Sequence, residues 1–181
     1  SMRSPDAALN PVKPMADARA HDMARNDGYV QGAVSIFRDS IVGQAYRLNL
    51  QPEWRVLRQY NPAFDETWAE EYQEAVETTF NLVADSADCW LDASRKLTFT
   101  GLTRLAVASY SLTGEVLATA EWIREVDRPF STAAQIISPD RLSNPNGASD
   151  TPRLRRGVVR DARGRALSYW IRSAHPGDVT A

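Results

Sequence analysis

The stretch RGVVRDARGRALSYWI, residues 156–171, places a turn between two short apolar runs. The tetrapeptide Asp161-Ala162-Arg163-Gly164 suits a type I turn, because Asp is favoured at the first position and glycine supplies the positive φ of a following bulge. Asp161 then faces Arg165, and the register pairs residue 160 with 166, 159 with 167, 158 with 168, 157 with 169 and 156 with 170. The sequence therefore predicts a β-hairpin over these residues.

The predicted register gives this hairpin two unlike faces. The apolar face, which we expect to be the core face, carries Val159, Leu167, Tyr169 and Ile171, with Tyr169 covering Gly157. The opposite face carries Arg156, Val158, Arg160, Ser168, Trp170 and Arg172. On that face Arg156 is expected to lie flat on the Trp170 ring, a contact worth ~0.5–1 kcal/mol when exposed.

The basic face is open to three interpretations. Nucleic-acid surfaces combine arginines with aromatic side chains, and a solvated strand face can have the same composition. The third interpretation comes from the charge distribution, since residues 65–92 carry a local charge of −9 and residues 153–172 a local charge of +6. Opposite surfaces of this kind set register and partner choice, within one molecule or between neighbours.

Helical periodicity dominates the first part of the chain. The composition of residues 15–25 predicts a short helix, and Asp27 is expected to cap a second helix that ends before Gly43. Asp65 is expected to cap a long helix to about Ala84, with an apolar stripe on one face and glutamates on the other. A further helix is predicted over residues 99–112.

Strand periodicity follows in shorter segments. Alternating residues predict strands at 44–50, 116–122 and 134–138, and residues 143–152 form a polar loop. The predicted fold class is therefore α+β, with N-terminal helices followed by a mainly antiparallel sheet with a C-terminal β-hairpin. Residues 1–14, which begin with the apparent tag scar Ser1-Met2, are expected to be a mobile arm. Residues 15–181 are expected to form a single domain.

The sequence offers few residues suited to catalysis or metal binding. Its formal net charge of −2 disfavours a dedicated nucleic-acid binder. The two histidines, His21 and His175, have no Cys or carboxylate at a metal-like spacing, and phosphate-binding, zinc-protease and nucleophile-elbow motifs do not occur. The single cysteine, Cys89, is expected to be a small buried hydrophobe. We predict no catalytic residue, no metal, no cofactor and no membrane span.

Five segments, at residues 18–49, 88–122, 135–145, 156–171 and 175–178, carry a resemblance to a known family. They include RNDGYVQGAV before a VG turn, RKLTFTGLTRL before a GE pair, PDRL, the hairpin GVVRDARGR and the turn HPGD. In order and spacing, over about residues 16–178, the chain resembles the N-terminal half of the lambda-type phage portal proteins.

The resemblance implies a structural, non-enzymatic role. Portal subunits assemble, typically as twelve, into a ring at one capsid vertex, through which the genome is packaged and onto which head-completion proteins dock. It also implies that the chain is the outer, wing-like portion, and that the stem, the crown and the clip that meets the terminase lie mostly after the HPGD turn. The expected location is the virion, and the host cytoplasm during assembly, with double-stranded DNA in the channel.

The leading hypothesis is therefore a wing-like piece of a phage or prophage portal subunit. We predict that the Arg156, Arg160 and Arg172 face contacts the acidic helix of a neighbour in the ring. The candidate contact residues are Arg153, Arg155, Arg156, Arg160 and Arg172 on the basic side, and Glu70, Glu71, Glu74 and Glu77 on the acidic side. The alternative is a nucleic-acid-binding module acting through the 153–172 hairpin, and a small hydrolase using unrecognised carboxylates comes third.

Overall fold

A computed structural model describes residues 4–178 of the 181-residue chain. The helices are α1 (Pro5–Leu9), α2 (Lys13–Asn26), α3 (Gly28–Val42), α4 (Trp54–Leu57), α5 (Glu66–Ala84) and α6 (Phe99–Thr113). The strands are β1 (Leu117–Trp122), β2 (Thr132–Ile137), β3 (Leu154–Arg155), β4 (Val158–Arg160) and β5 (Ala166–Tyr169). Helices thus precede two small antiparallel sheets, which confirms the predicted α+β class.

The predicted helix caps are present. Asp27 Oδ1 accepts hydrogen bonds from the backbone N–H groups of Tyr29 (2.8 Å) and Val30 (3.3 Å) at the start of α3. Asp65 accepts from the Trp68 N–H at 2.9 Å at the start of α5. Each cap satisfies N–H groups that have no partner within the helix, so these short polar side chains fix where the helices begin.

The predicted strand at residues 44–50 is wrong. Residues 45–53 have no regular structure, and two of their backbone N–H groups are bonded to side chains instead of to a neighbouring strand. Tyr46 N donates to Thr100 Oγ1 at 3.0 Å, and Leu50 N donates to Glu77 Oε1 at 2.8 Å. Side chains distant in sequence therefore supply partners that a sheet ladder would otherwise provide.

The strands beyond residue 116 agree with the prediction. β1 pairs with β2, and along β1 the exposure alternates, so that Ala118, Ala120 and Trp122 are exposed while Leu117 and Thr119 are half-buried. β3, β4 and β5 form a second sheet in that order, with β5 as an outer strand. β4 and β5 are the two strands of the predicted hairpin.

The hairpin turn is confirmed at Asp161. Its carboxylate Oδ1 accepts hydrogen bonds from Arg163 N at 2.8 Å and Arg165 N at 2.9 Å, and its backbone N–H donates to the Arg165 carbonyl at 2.9 Å. Gly164 has φ +86°, the left-handed conformation that the turn requires. Residue 160 pairs with 166, as predicted.

Beyond that pair the predicted register is wrong by one residue. Val159 pairs with Ser168 and Val158 with Tyr169, so Leu167 is an extra residue that forms a β-bulge. The predicted core face is wrong as well, because Leu167 and Tyr169 are 59% and 55% exposed. A one-residue shift moves side chains to the other face of a strand, and the bulge is the cause here.

Gly157 is buried, and backbone atoms pack closely against it. It has φ +79°, and a Cβ there would lie 2.8 Å from Ser143 N and 2.9 Å from the Trp170 carbonyl oxygen. Trp170 N donates to the Gly157 carbonyl at 2.7 Å. Only glycine allows the 143 and 170 backbones to approach this closely.

The chain divides into two compact units, named here the hairpin unit and the acidic-helix unit. The hairpin unit comprises the described residues of Ser1–Arg38, Ala106–Ala118 and Ile136–Ala181, and the acidic-helix unit comprises Asp39–Leu105 and Thr119–Gln135. Buried apolar side chains lie mostly in the acidic-helix unit: Val42, Ala69, Val83, Ala84, Leu102, Ala133 and the predicted buried Cys89. A single domain over residues 15–181 stays a prediction.

The first residues include helical structure. α1 is capped by Ser4, whose Oγ accepts from Ala7 N at 3.2 Å, and Pro5 occupies the start of the helix. The mobility predicted for residues 1–14 stays a prediction, and the apparent tag scar at Ser1-Met2 lies outside the described residues.

Candidate interaction surfaces

Two of the predicted site arginines bind the first helix of the chain. Arg155 on β3 and Arg160 on β4 both direct Nη1 at Asp6 Oδ2, at 2.6 and 3.4 Å. Hydrogen bonding from Arg155 holds the pKa of Asp6 below its ordinary value of 3.8, with the charges of Arg155 and Arg160 adding to the effect against partial desolvation. These arginines therefore hold α1 against the sheet inside the hairpin unit.

Arg156 has a different internal partner. Its backbone has φ +44°, its N–H donates to Asp150 Oδ1 at 3.0 Å, and its Nη1 lies 3.2 Å from Glu115 Oε1. Glu115 in turn lies 3.5 Å from the buried Nζ of Lys13. The predicted stacking of Arg156 on Trp170 is wrong, because the guanidinium turns to Glu115.

The other two predicted arginines are more exposed. Arg172 Nε donates to Ser143 Oγ at 2.9 Å, and the backbone of Arg172 is bonded to Arg141. The Arg153 side chain is exposed and makes no hydrogen bond or ion pair with any described residue. The structure thus separates the predicted set into three arginines that form ion pairs with described residues and two exposed arginines that form none.

The acidic candidates also divide. Glu70, Glu71 and Glu74 are exposed on α5, and none of them is in an ion pair within residues 4–178. Glu77 is half-buried and accepts hydrogen bonds from Leu50 N at 2.8 Å and Gln73 Nε2 at 3.0 Å. Glu77 therefore holds the irregular segment beside α5, while the other three glutamates present an unpaired negative surface.

A histidine–aspartate junction in the hairpin unit was missed by the sequence analysis. His21 Nε2 lies 3.1 Å and His175 Nε2 3.4 Å from the same oxygen, Asp140 Oδ2, and Ser138 Oγ donates to that oxygen at 3.2 Å. The junction lines a cavity of about 860 Å³. His21, Asp140 and His175 lie in three separate segments, each of which carries the family resemblance. That is the sequence signal that could have drawn attention to these residues.

Across residues 4–178, no group of three or more His, Cys, Asp or Glu side chains has the geometry to hold a metal ion. The cavity lining also mixes arginines, among them Arg25 and Arg172, with carboxylates such as Asp17 and Asp178. Its charge therefore favours no single class of ligand, and the junction is best described as a link between α2, the 139–141 turn and the HPGD turn.

A second missed cluster organises the acidic-helix unit around Asp92. The buried Asp92 carboxylate accepts hydrogen bonds from the N–H groups of Ser94, Lys96 and Leu97 at 2.9–3.0 Å. Burial alone would raise the pKa of Asp92, but these hydrogen bonds, with one from the Ser94 hydroxyl, hold that pKa below its ordinary value. The buried Arg128 guanidinium donates to the carbonyls of Trp90 and Asp92.

Among residues 4–178, none of the helices combines the length and the hydropathy that a bilayer-spanning segment requires.

Comparisons with known proteins point to one family. A family model described as phage portal protein, lambda family, matches residues 1–181. The chain is 38% identical over 175 residues to "Portal protein" of Escherichia phage N15 and 37% identical over 175 residues to "Portal protein B" of Escherichia phage lambda, matching 96% of this chain and 32% of each relative. It is 24% identical over 162 residues to "Probable portal protein" of Halomonas phage phiHAP-1, matching 88% of the chain and 29% of the relative. The chain therefore spans about a third of the length of these relatives.

Proposed function

Because the chain belongs to the lambda family of phage portal proteins, we propose that it is part of a structural subunit of the portal ring at the capsid vertex of a phage or prophage. The ring forms the conduit through which DNA is packaged and ejected. The subunit acts by its shape and contacts and has no catalytic role. The match over residues 1–181, joined to 37–38% identity with two named portal proteins, carries this proposal.

The surface of the described residues supports a role inside an assembly. No large side chain of residues 4–178 is fully buried, whereas Tyr29 and Ile36 on α3 and Trp122 on β1 are 93%, 70% and 68% exposed. Proteins that act alone rarely leave extended apolar patches in water, and such patches mark contacts with other polypeptide. We therefore assign these faces to contacts with other parts of the subunit or with its neighbours.

The proposed partners are those of a whole portal subunit. Copies of the subunit, twelve in number, close a ring through heterologous contacts, which requires that one surface complement another around the axis. The terminase and head-completion proteins dock on the ring, and double-stranded DNA passes through its channel. The ring resides in the virion, and its subunits reside in the host cytoplasm before assembly.

The basic hairpin and the acidic helix are the proposed subunit contact. Arg153, Arg155, Arg156, Arg160 and Arg172 lie on or beside the hairpin, and Glu70, Glu71, Glu74 and Glu77 lie on α5. Arg155, Arg156 and Arg160 contribute by holding the hairpin in place through Asp6 and Glu115. Arg153 and Arg172 are exposed, and so are the first three glutamates.

Mass photometry of the full-length portal subunit that contains this chain tests the proposal. We expect a discrete species at about twelve times the monomer mass. The 181-residue chain alone is expected to be mostly monomeric, because it covers about a third of the length of its relatives. A full-length subunit that stays monomeric at every protein concentration and at low salt would overturn the proposal.

A further inference from the structure

The tip of the hairpin carries arginines that have no partner inside the chain. Arg163 and Arg165 flank Gly164 in the turn, and both are exposed. Their backbone N–H groups bind Asp161, but their guanidinium groups make no hydrogen bond or ion pair with residues 4–178. Arg153 lies near the turn, because its carbonyl accepts a hydrogen bond at 2.8 Å from the N–H of Arg160, the residue before Asp161.

Several other arginines of the described chain are instead paired with carboxylates. Arg95, Arg128 and Arg155 each lie within 3 Å of a carboxylate oxygen. Arg153, Arg163 and Arg165 therefore form a patch of positive charge that the hairpin unit itself does not neutralise. We call these three residues the tip arginines.

The strand beside the tip has an unpaired outer edge. β5 is an outer strand of its sheet, and all four of its residues are exposed. Leu167, Tyr169 and the following Trp170 leave more than half of their surface in water. Tyr, Trp and Arg are the residue types enriched at the centres of protein interfaces, and an outer strand offers unpaired backbone groups to a neighbouring chain.

The matching surface of opposite charge is on α5. Glu70 and Glu74 are one helical turn apart on the face opposite the apolar stripe of Trp68, Val76 and Phe80. Both are exposed, and the whole segment 65–92 contains no Lys or Arg. Neither Glu70 nor Glu74 is in an ion pair with a residue of 4–178, so their charges are left unpaired like those of the tip arginines.

From this complementarity we infer that the hairpin tip, with the exposed face of β5, receives the acidic face of helix α5 from a second copy of the chain. The inference rests on the proposed function, since a closed ring supplies each subunit with two different neighbours. It assigns the contact to residues that the hairpin prediction left out, Arg163 and Arg165, and to Arg153. Arg155, Arg156 and Arg160 position the hairpin instead of reaching the neighbour.

Two charge-reversed variants of the full-length subunit test this inference. The first variant carries Arg163→Glu and Arg165→Glu, and the second carries Glu70→Lys and Glu74→Lys. All four positions are exposed, so each variant is expected to keep the circular dichroism spectrum and melting temperature of the wild type. The control variant, Arg19→Glu with Arg58→Glu, reverses two exposed arginines outside the hairpin and changes the net charge by the same amount as the first variant.

Each variant alone brings like charges together, and we expect its ring fraction in mass photometry to fall about tenfold or more at 0.1 M salt. In an equal mixture, subunits of the two variants can alternate around the ring. Each reversed hairpin then meets a reversed helix, and each unchanged hairpin meets an unchanged helix, so every contact is attractive again. The mixture is therefore expected to recover the wild-type ring fraction. The control variant is expected to assemble like the wild type.

Three results would overturn the inference. The first is normal ring formation by each variant on its own, which would show that these residues do not form the subunit contact. Failure of the mixture, while a subunit carrying all four changes still assembles, would place the contact within one subunit. Loss of DNA binding by the first variant with undiminished ring formation would assign the tip to nucleic acid. If the wild type itself forms no rings, it is the proposed function that fails.

Discussion

Asp6 and Arg155 connect two distant segments of the chain: Asp6 Oδ2 accepts a hydrogen bond from Arg155 Nη1 at 2.6 Å across 149 residues of sequence. Arg160 reaches the same oxygen from the neighbouring strand. The first helix is thus held on the same sheet that carries the proposed subunit contact. Perturbing Asp6 tests whether this link orders α1.

We expect Asp6→Asn to loosen α1 without unfolding the hairpin. The amide keeps the size of the side chain but removes the charge that attracts both arginines. Hydrogen exchange of the Ala8 and Asn10 amides, which bond within the first turns, is expected to become several-fold faster. Asp22→Asn, an exposed change on α2, serves as the control and is expected to leave those rates unchanged.

Acid is expected to have the same effect as the Asp6→Asn change. The pKa of Asp6 is lowered in the folded chain, so its carboxylate adds stability above its ordinary pKa, and that stability is lost as the pH falls through the lowered value. Protection of α1 should therefore hold at neutral pH and decline below about pH 4. Equal protection of α1 in the wild type and Asp6→Asn at pH 7 would show that the ion pair does not hold the helix.

Gly157 is expected to be the least replaceable glycine of the hairpin unit. Gly157→Ala adds a Cβ that lies 2.8 Å from Ser143 N, at φ +79°. Steric overlap and left-handed strain together predict a loss of about 2–4 kcal/mol in the free energy of unfolding. Gly164→Ala is the matched control, since it also has positive φ but no atom within 4 Å of its added Cβ, and a loss of only about 1 kcal/mol is expected. Urea denaturation measures both, and equal losses would contradict the packing at Gly157.

Asp92 is expected to stabilise the acidic-helix unit more than any exposed carboxylate. Asp92→Ala leaves the N–H groups of Ser94, Lys96 and Leu97 without their acceptor, which predicts a loss of about 2–4 kcal/mol. The control is Asp88→Ala, at an exposed position in the same loop. Because the pKa of Asp92 is lowered, its contribution is complete above its ordinary pKa and is lost as the pH falls below about 4. The urea midpoint of the wild type should therefore exceed that of Asp92→Ala by more at pH 7 than at pH 3. An equal difference at the two pH values would contradict this.

Asp140 is expected to hold the HPGD turn through the histidine–aspartate junction. In Asp140→Ala, His21 and His175 lose the oxygen that they share, so the turn at 175–178 should exchange its amide hydrogens faster. Asp178 N, which donates to the His175 carbonyl at 2.9 Å, is the reporting amide. Exchange at Asp178 that stays at the wild-type rate would show that the turn is held by its own bonds alone.

The sequence predicted what short-range chemistry determines. Asp27, Asp65 and Asp161 each bind backbone N–H groups two to four residues away, so their helix starts and turn were visible in the sequence alone. The hairpin register was not visible beyond the first pair, because a bulge at Leu167 shifts it by one residue and no turn residue signals that bulge.

Long-range partners explain the other differences. The segment 44–50 alternates like a strand, yet Thr100 and Glu77 bind its N–H groups from positions far along the chain. The sequence shows the arginines of the hairpin as a charged set. It does not show which of them are paired within the chain, because Asp6 and Glu115 lie 149 and 41 residues from Arg155 and Arg156. Exposed apolar faces such as that of Trp122 follow the predicted periodicity, and periodicity does not identify what covers a face.

Cryo-electron microscopy of the full-length subunit is the most direct test of the proposed portal role. We expect a closed ring around a central channel, with the hairpin tip of each subunit against helix α5 of the next. Discrete particles without a channel would contradict the portal role, and a ring in which both surfaces face solvent would contradict the contact.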